Sequence, residues 1–446
     1  MKTIDWRPYA PFISLIPVAL LLAVFAATRP EASPAVSPAQ EDTPYNVIFL
    51  IGDGMGPQQV GLLQDWATAA GRRTTALGTL MNQGEIGVVR TRSIDSPATD
   101  SAAAATALAC GVSTANGRIA QLVDGTNVRT AMEDAIESGY RTGLVTTTAI
   151  THATPACFIT HIDHRDKEPE IAQQLVESEV DVVLGGGAKY FTSQRQDLRG
   201  RIAARGWEFV RTEPELDSVP RGAKVFGLFS KGHFPYAIDR DQPGEKEAPT
   251  LARMTESALH HLHDPNRPFF VMIEGGRIDH AGHANDVAAM LGEMREFDDA
   301  VEVALRYQRR HPRTLVIVTA DHETGGLCIT YGLNGTITDE DFLAMAAAEC
   351  SVEEAIDRGT LRLGPTNPEP LGVGRESFYA IAYRAANYTA LEHSAKWNVS
   401  FGSGNHSTTP VYVLAKGPGQ GCFAGVQFNT RIGQTLRKWM SVRPPE

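Results

Sequence analysis

Short and almost unbroken apolar runs recur along the chain from residue 45 onward, and several are followed directly by glycine or an acidic residue. An apolar run of four to eight residues is typical of a strand that is buried on both faces of a parallel sheet. The predicted strands are 46–51, 84–90, 141–148, 180–186, 223–229, 267–274, 313–320 and 410–417.

Segments with helical periodicity lie between several of these strands, at 57–70, 101–109, 128–138, 168–178, 249–263, 285–309 and 430–440. Strands that alternate with helices predict an α/β fold, here a three-layer sandwich with a central, mostly parallel sheet and helices on both faces. Two polar regions, near 187–248 and 331–405, break the alternation. We interpret both as insertions in one domain that spans residues 45–446.

The N-terminal 44 residues differ in character from the rest of the chain. Two basic residues precede an apolar stretch at 11–27, and a linker rich in proline, alanine and serine follows it. This order is typical of an export signal, with cleavage after Ala26 or Ala39. A retained membrane anchor is the alternative, although the stretch is slightly short for a membrane span. We therefore expect a periplasmic or extracellular protein, in which residues 1–44 are a signal peptide or anchor plus linker.

Composition excludes some classes of function. The chain has 446 residues, of which 42% are hydrophobic and 21% are charged, with a net charge of −11. An acidic surface argues against nucleic acid as a specific partner but leaves small anionic substrates open. Five cysteines leave at least one unpaired, and none form a C-x-x-C motif, so a thiolate metal site is not indicated.

Acidic and histidine side chains collect where the predicted strands end or begin: Asp53 after the first strand, Glu274, Asp279 and His283 after another, Asp321 and His322 after a third, and His406 before the last. Each alone has an ordinary explanation as a turn or surface residue. Strand ends of a parallel sheet can converge on one edge, however, and carboxylates with imidazoles suit two zinc sites and one magnesium site. Two metal ions about 4 Å apart form a clamp for phosphoryl transfer.

The stretch "SPATDSAAAATALACG" places Asp100 and Ser101 directly before an alanine run that favours a helix. Either residue suits a helix N-cap. The other interpretation is a nucleophile at a helix N-terminus, where an anion is favoured. A nucleophilic serine usually needs a neighbouring base, and no histidine adjoins Ser101 in the sequence. Metal coordination would lower the pKa of its hydroxyl instead.

Six segments together resemble the alkaline phosphatase family: "FLIGDGMG", "SPATDSAAAATAL", "THATPACFITHIDHR", "IEGGRIDHAGHAND", "VTADHETGG" and "GNHSTTPVYVLAKGPG". They run in the family's order over nearly the whole chain after residue 45. The resemblance implies hydrolysis of small phosphate monoesters to alcohol and inorganic phosphate through a phosphoserine at Ser101, in a homodimer. It also implies that Arg165 grips the phosphate and that Asp100 helps to hold Arg165.

The resemblance further implies the ligands of three metal ions. One zinc belongs to Asp279, His283 and His406, a second zinc to Asp53, Ser101, Asp321 and His322, and a magnesium ion to Asp53, Thr154 and Glu274, with His152 nearby. Two positions depart from the enterobacterial pattern. His152 replaces an aspartate near the magnesium and His280 replaces a lysine, as in the vertebrate and some marine bacterial branches. His152 makes zinc an alternative occupant of the third site.

Two other classes of function remain as rivals. A phosphodiesterase of the same superfamily would keep the metal clamp, but a diester offers fewer free oxygens for Arg165, and the C/S-x-P-x-R motif of a sulfatase is absent from the sequence. An exported phosphate- or metal-binding protein would need the ligands but no nucleophile.

Because metal-binding histidines must be neutral, we expect activity to fall in acid and to peak at alkaline pH.

Overall fold

Strands and helices alternate along much of the chain in the computed structural model, which describes residues 45–240, 248–330, 337–347, 351, 353–354 and 399–442. The strands are β1 (Asn46–Gly52), β2 (Glu85–Arg90), β3 (Arg141–Ala149), β4 (Val182–Gly186), β5 (Thr192–Ser193), β6 (Gln196–Asp197), β7 (Trp207–Val210), β8 (Lys224–Leu228), β9 (Phe269–Gly275), β10 (Thr314–Thr319), β11 (Glu323–Thr324), β12 (Leu327–Ile329), β13 (Val399–Phe401), β14 (His406–Ser407), β15 (Val411–Lys416) and β16 (Gly425–Phe428). The α-helices are α1 (Pro57–Ala69), α2 (Ala76–Gln83), α3 (Ser101–Cys110), α4 (Ala131–Glu137), α5 (Ala153–Ala156), α6 (Glu168–Glu177), α7 (Arg199–Ala204), α8 (Glu213–Ser218), α9 (Ala237–Arg240), α10 (Leu251–Leu262), α11 (Arg277–His283), α12 (Val287–Arg310), α13 (Asp339–Ala346) and α14 (Asn429–Met440).

Ten of the strands form one sheet, in the order β16-β2-β15-β10-β1-β9-β3-β4-β8-β7. Every strand of this sheet except β15 runs in the same direction, and β15 is antiparallel to both of its neighbours. The central strands β1, β3, β9 and β10 are buried along their full length. Helices cover both faces, which explains why these strands read as continuous apolar runs rather than alternating ones.

The predicted fold class is confirmed, and every predicted strand and helix is present, most with bounds shifted by a residue or two. The interval 187–248, expected as an insertion, contributes β7 and β8 to one edge of the sheet. The interval 331–405, also expected as an insertion, contains α13, but most of its remaining residues lie outside the described part. Short elements such as α2, β7 and β16 were not predicted.

The first 44 residues, including the apolar stretch 11–27, also lie outside the described part of the chain, so their role stays a prediction. Among the helices that the structure does describe, none is both long and apolar enough to cross a membrane.

The direction of β15 decides where the last predicted site residue lies. The carboxyl ends of the parallel strands meet at one edge of the sheet, and the segments after β1, β3, β9 and β10 start there. Because β15 runs the opposite way, its amino end lies at that same edge. His406, which precedes β15, therefore joins the other site residues; in an entirely parallel sheet it would lie at the opposite edge.

Candidate active site

Ser101 is the first residue of α3, a ten-residue helix in which every residue is buried. Asp100 is its N-cap, and the carboxylate accepts a hydrogen bond of 2.9 Å from the Ala103 amide. The small side chains of α3 let α14 come very close. A Cβ on Gly433 of α14 would lie 2.3 Å from the Ala107 carbonyl oxygen, so only glycine fits there. Ser101 thus stands at a capped helix start that packing holds in place.

A histidine lies beside Ser101 in space although none adjoins it in the sequence. The Ser101 Oγ is 3.2 Å from Nε2 of His322. The other ring nitrogen, Nδ1, is 3.1 Å from the Thr324 hydroxyl. Nε2 also lies 3.1 Å from Oδ2 of Asp321 and 3.6 Å from Oδ1 of Asp53. The serine hydroxyl therefore borders a group of two carboxylates and one imidazole.

This group, Asp53, Asp321 and His322, has the chemistry of a metal site. One candidate ligand atom from each residue lies within 4.8 Å of the others, and all three residues are fully buried. Oδ1 of Asp53 and Oδ2 of Asp321 are buried and have no hydrogen-bond partner among the described atoms. Burial and the neighbouring carboxylates raise the pKa of Asp53 well above its usual value, and burial raises that of Asp321 to about 6. A cation would offset this repulsion and satisfy the unpaired oxygens.

A second group consists of Asp279, His283 and His406. The histidine Nδ1 atoms lie 2.6 Å from the Gly404 carbonyl oxygen and 2.8 Å from that of Thr99, respectively. A carbonyl oxygen only accepts, so each Nδ1 donates, and in the neutral ring the Nε2 lone pair is free for a metal. The two Nε2 atoms are 3.0 Å apart and lie 3.3 and 3.4 Å from the Asp279 carboxylate.

A third group shares Asp53 with the first and adds His152 and Glu274. The Thr154 hydroxyl donates to Oδ2 of Asp53 at 3.4 Å. Burial raises the pKa of Glu274 to about 7, and its Oε1 is a further buried oxygen without a described partner.

The donors in all three groups are carboxylate oxygens and imidazole nitrogens, which fit zinc in the first two groups. The oxygen-rich third group fits magnesium, and His152 also fits zinc.

Arg165 lies at the mouth of the site. Its Nη1 donates to Oδ2 of Asp100 at 3.2 Å, and its Nη2 lies 2.9 Å from Nε2 of His152. A guanidinium can only donate, so the His152 nitrogen accepts. Arg165 borders a shallow cavity of about 460 Å³ that also includes Ser101, His152, Asp279, His280, His283 and His406 in its wall. An arginine beside a serine hydroxyl suits a ligand with several anionic oxygens.

One histidine and three threonines around the site were not predicted. His233 follows β8, its ring is 5.3 Å from that of His152 and 4.6 Å from that of His280, and its Nδ1 accepts from the Ala149 amide. The hydroxyl of Thr324 donates to Oδ1 of Asp279 at 2.5 Å. Threonines at the end of β3 donate to Glu274: Thr146 and Thr148. The position of His233 just after a strand was a usable signal, since the same signal identified Asp321 and His322.

The fold and the site together define a metal-dependent enzyme of phosphoryl transfer, because a serine hydroxyl, an arginine and clustered metal ligands meet at the carboxyl edge of an α/β sheet. A family model of alkaline phosphatase matches residues 45–442. The chain therefore belongs to the alkaline phosphatase family, enzymes that hydrolyse phosphate monoesters through a phosphoserine intermediate. The predicted family and activity are confirmed.

Relatives and solved structures agree with this membership. The chain is 31% identical to alkaline phosphatase 4 of Bacillus subtilis over 441 residues, which cover 93% of this chain and 94% of that protein. The crystal structure of Thermus thermophilus alkaline phosphatase superposes with a TM-score of 0.76 and 29% identity, covering 93% of this chain and 96% of the other. A mutant of the alkaline phosphatase from the Antarctic bacterium TAB5, with magnesium bound in its M3 site, has a TM-score of 0.66 and 28% identity over 90% of this chain and 99% of its own.

Proposed function

We propose that Ser101 is the nucleophile of this phosphatase and that Arg165 binds the phosphate of the substrate. The observation that carries the proposal is the position of the Ser101 hydroxyl. It lies 3.2 Å from Nε2 of His322, at the border of a candidate metal group, and it faces the same cavity as Arg165. A serine that served only as part of a helix cap would need neither neighbour. This combination also disfavours a protein that only binds phosphate.

We further propose two zinc sites and one magnesium site. Asp279, His283 and His406 would hold one zinc, and Asp53, Asp321, His322 and Ser101 the other; Asp53, Thr154 and Glu274 would hold magnesium, with His152 beside it. When bound, these ions would lower the pKa of the serine hydroxyl and of water and would neutralise charge on the phosphate oxygens. The oxygen donors of Asp53, Thr154 and Glu274 support magnesium, which occupies the M3 site of a TAB5 mutant in which a histidine is replaced by glutamate. The imidazole of His152 keeps zinc as the alternative.

The chain's own residues account for binding and for the covalent step. Arg165 would bind two phosphate oxygens with its planar guanidinium, which Asp100 holds by Nη1. The Ser101 Oγ would attack phosphorus as the bond to the alcohol oxygen breaks, and the alcohol would leave with a proton. Water would then attack the phosphoserine, the Oγ–P bond would break, and Ser101 would regain its proton. Amides at the start of α3 suit the phosphoryl oxygens in both steps.

We also propose an exported protein, periplasmic or extracellular, that acts on small phosphomonoesters and forms a homodimer. The basic and apolar character of the N-terminal segment supports export, either with cleavage or with residues 11–27 kept as an anchor. The proposed dimer is carried over from the resemblance to the family, and the net charge of −11 supports small ligands rather than nucleic acid.

The decisive experiment measures hydrolysis of p-nitrophenyl phosphate at about pH 9, with and without a chelator, and metal content on the same sample. We expect turnover that the chelator abolishes and that Ser101→Ala lowers at least about a thousandfold, as expected when a nucleophile is lost. Ser441→Ala, an exposed serine at the end of α14, is the matched control and should keep full activity. Phosphate binding without turnover would instead indicate a binding protein, and faster hydrolysis of bis-p-nitrophenyl phosphate would indicate a diesterase.

A further inference from the structure

Asp100, Gly117 and Arg165 form a closed ring of hydrogen bonds beside the nucleophile. The Gly117 amide donates to Oδ2 of Asp100 at 2.9 Å, and its carbonyl oxygen accepts from the Arg165 amide at 2.8 Å. The Arg165 side chain returns to the same Oδ2 at 3.2 Å. The backbone and the guanidinium of Arg165 are therefore both fixed relative to the start of α3.

Gly117 reaches this position through a backbone conformation that other residues rarely adopt. Its φ is +83°, and a Cβ there would lie 3.2 Å from the His164 ring. Because residue 117 has no side chain, contacts from neighbouring residues must stabilise this turn.

Asn116, which borders the cavity, makes hydrogen bonds that stabilise this turn. Its Oδ1 accepts from the Asp100 amide at 2.9 Å, and its Nδ2 donates to the Ala98 carbonyl oxygen at 3.3 Å. Its backbone amide donates to Oδ1 of Asp95 at 3.1 Å. Asn116 thus ties the loop before α3, on both sides of Thr99, to the turn that carries Arg165.

We propose that Asn116 is a positioning residue for phosphate binding. It fixes Asp100 directly and Arg165 through Gly117, so that the guanidinium is already oriented toward the cavity beside Ser101 before substrate arrives. The proposal rests on the proposed roles of Ser101 and Arg165. Asn116 also borders the cavity. Direct contact between its amide and the substrate is therefore the competing explanation that the experiment must separate.

The test compares Asn116→Ala with the wild-type holoenzyme in p-nitrophenyl phosphate hydrolysis and in inhibition by inorganic phosphate. We expect KM and the phosphate inhibition constant to rise together, by about five- to thirtyfold, as for the loss of one or two net hydrogen bonds, with a smaller change in kcat. Metal content should stay unchanged. The matched control is Asn127→Ala, an exposed asparagine outside the cavity that also accepts one side-chain hydrogen bond; it should behave as wild type.

A double-mutant cycle separates positioning from direct contact. If Asn116 acts through Arg165, then Asn116→Ala causes almost no further loss of phosphate inhibition once Arg165→Ala is present. Additive losses in the cycle would overturn the proposal, as would a wild-type inhibition constant in Asn116→Ala. Gly117→Ala disturbs the same turn independently and should also weaken phosphate inhibition without adding to the effect of Arg165→Ala. If Asn116→Ala does not fold, the cycle is measured with Gly117→Ala instead. Turnover that survives in Ser101→Ala would refute the proposed function instead.

Discussion

Glu293 makes the stability of this protein depend on pH in a way that can be worked out from its surroundings. It lies in α12 and is 2% exposed, and its Oε1 accepts a hydrogen bond of 2.7 Å from the Ala237 amide. Burial, followed by the nearby charge of Glu296, raises its pKa from 4.5 to about 7. A raised carboxyl pKa means that the folded protein holds this proton more tightly than the unfolded chain.

The sign and size of the effect follow from that shift. The contribution of Glu293 to stability is complete below about pH 4.5 and is lost as the pH rises through about 7. A shift from 4.5 to about 7 corresponds to about 3 kcal/mol, at 1.36 kcal/mol per pKa unit. Glu293→Gln keeps an oxygen that accepts from Ala237 but cannot ionise. The variant should therefore be more stable than wild type at about pH 9, by up to about 3 kcal/mol, and nearly equal to it at about pH 5.

The measurement is urea unfolding of both holoenzymes at about pH 5, 7 and 9, with the difference in unfolding free energy taken at each pH. Because a release of metal in acid would affect both proteins alike, the difference in unfolding free energy isolates Glu293. Glu302→Gln, a glutamate on the same helix with a side chain that is 42% exposed, serves as the control and should give no pH-dependent difference. A Glu293→Gln variant that is less stable than wild type at about pH 9, or that differs from it equally at every pH, would contradict the raised pKa of Glu293.

Three further predictions concern the site. Arg165→Ala should raise KM and the phosphate inhibition constant by about ten- to a hundredfold, the range for charge-assisted hydrogen bonds, and unchanged phosphate inhibition would contradict its role. Burial disfavours the charged form of His283 and His406, but hydrogen bonding to Asp279 outweighs it, and the pKa of His283 rises to about 9. Protons would therefore compete with a metal ion there below about pH 9, so dialysis at about pH 5 should remove metal that dialysis at about pH 10 retains, and full retention would argue against this ligand set. Glu274→Gln should lower the content of one metal ion per chain, which elemental analysis would detect, and excess magnesium should restore part of the activity.

The sheet could be predicted from the sequence because its strands are buried on both faces. β1 is buried along its whole length and is apolar from Val47 to Ile51, a pattern that a half-exposed strand does not show, and the alanines of α3 favour a helix. Elements without such a signal escaped prediction: β16 is mostly exposed, and β7 has only four residues, of which Glu208 faces solvent. The hydrophobic pattern of the sequence therefore predicts fully buried strands well and predicts strands at the edges of the sheet poorly.

Proximity between distant residues could be predicted only in part. Acids and histidines after strands indicated one shared edge, and the structure brings them together there. The expected position of His406 depended on the direction of β15, which the sequence does not reveal. Only because β15 is antiparallel does His406 lie at that edge. The contacts of Asn116 come from long-range packing, so the local sequence carries no pattern for them. The position of His233 after β8 was a signal that the prediction did not use. Strand direction and turn geometry are global properties of the fold, and a single sequence does not encode them in any short window.

Asp100 makes two kinds of contact at the start of α3, and each of its carboxylate oxygens makes one of them. Oδ1 accepts from the Ala103 amide and so caps the helix. Oδ2 accepts from Gly117 and Arg165 and so orients the arginine that we propose binds phosphate. Capping stabilises the helix start at which Ser101 stands, and the ion pair aims the guanidinium at the same cavity. Because one carboxylate makes both contacts, the proposed nucleophile and the arginine proposed to bind phosphate are positioned from the same residue, which suits the precise orientation that attack on a bound phosphate needs.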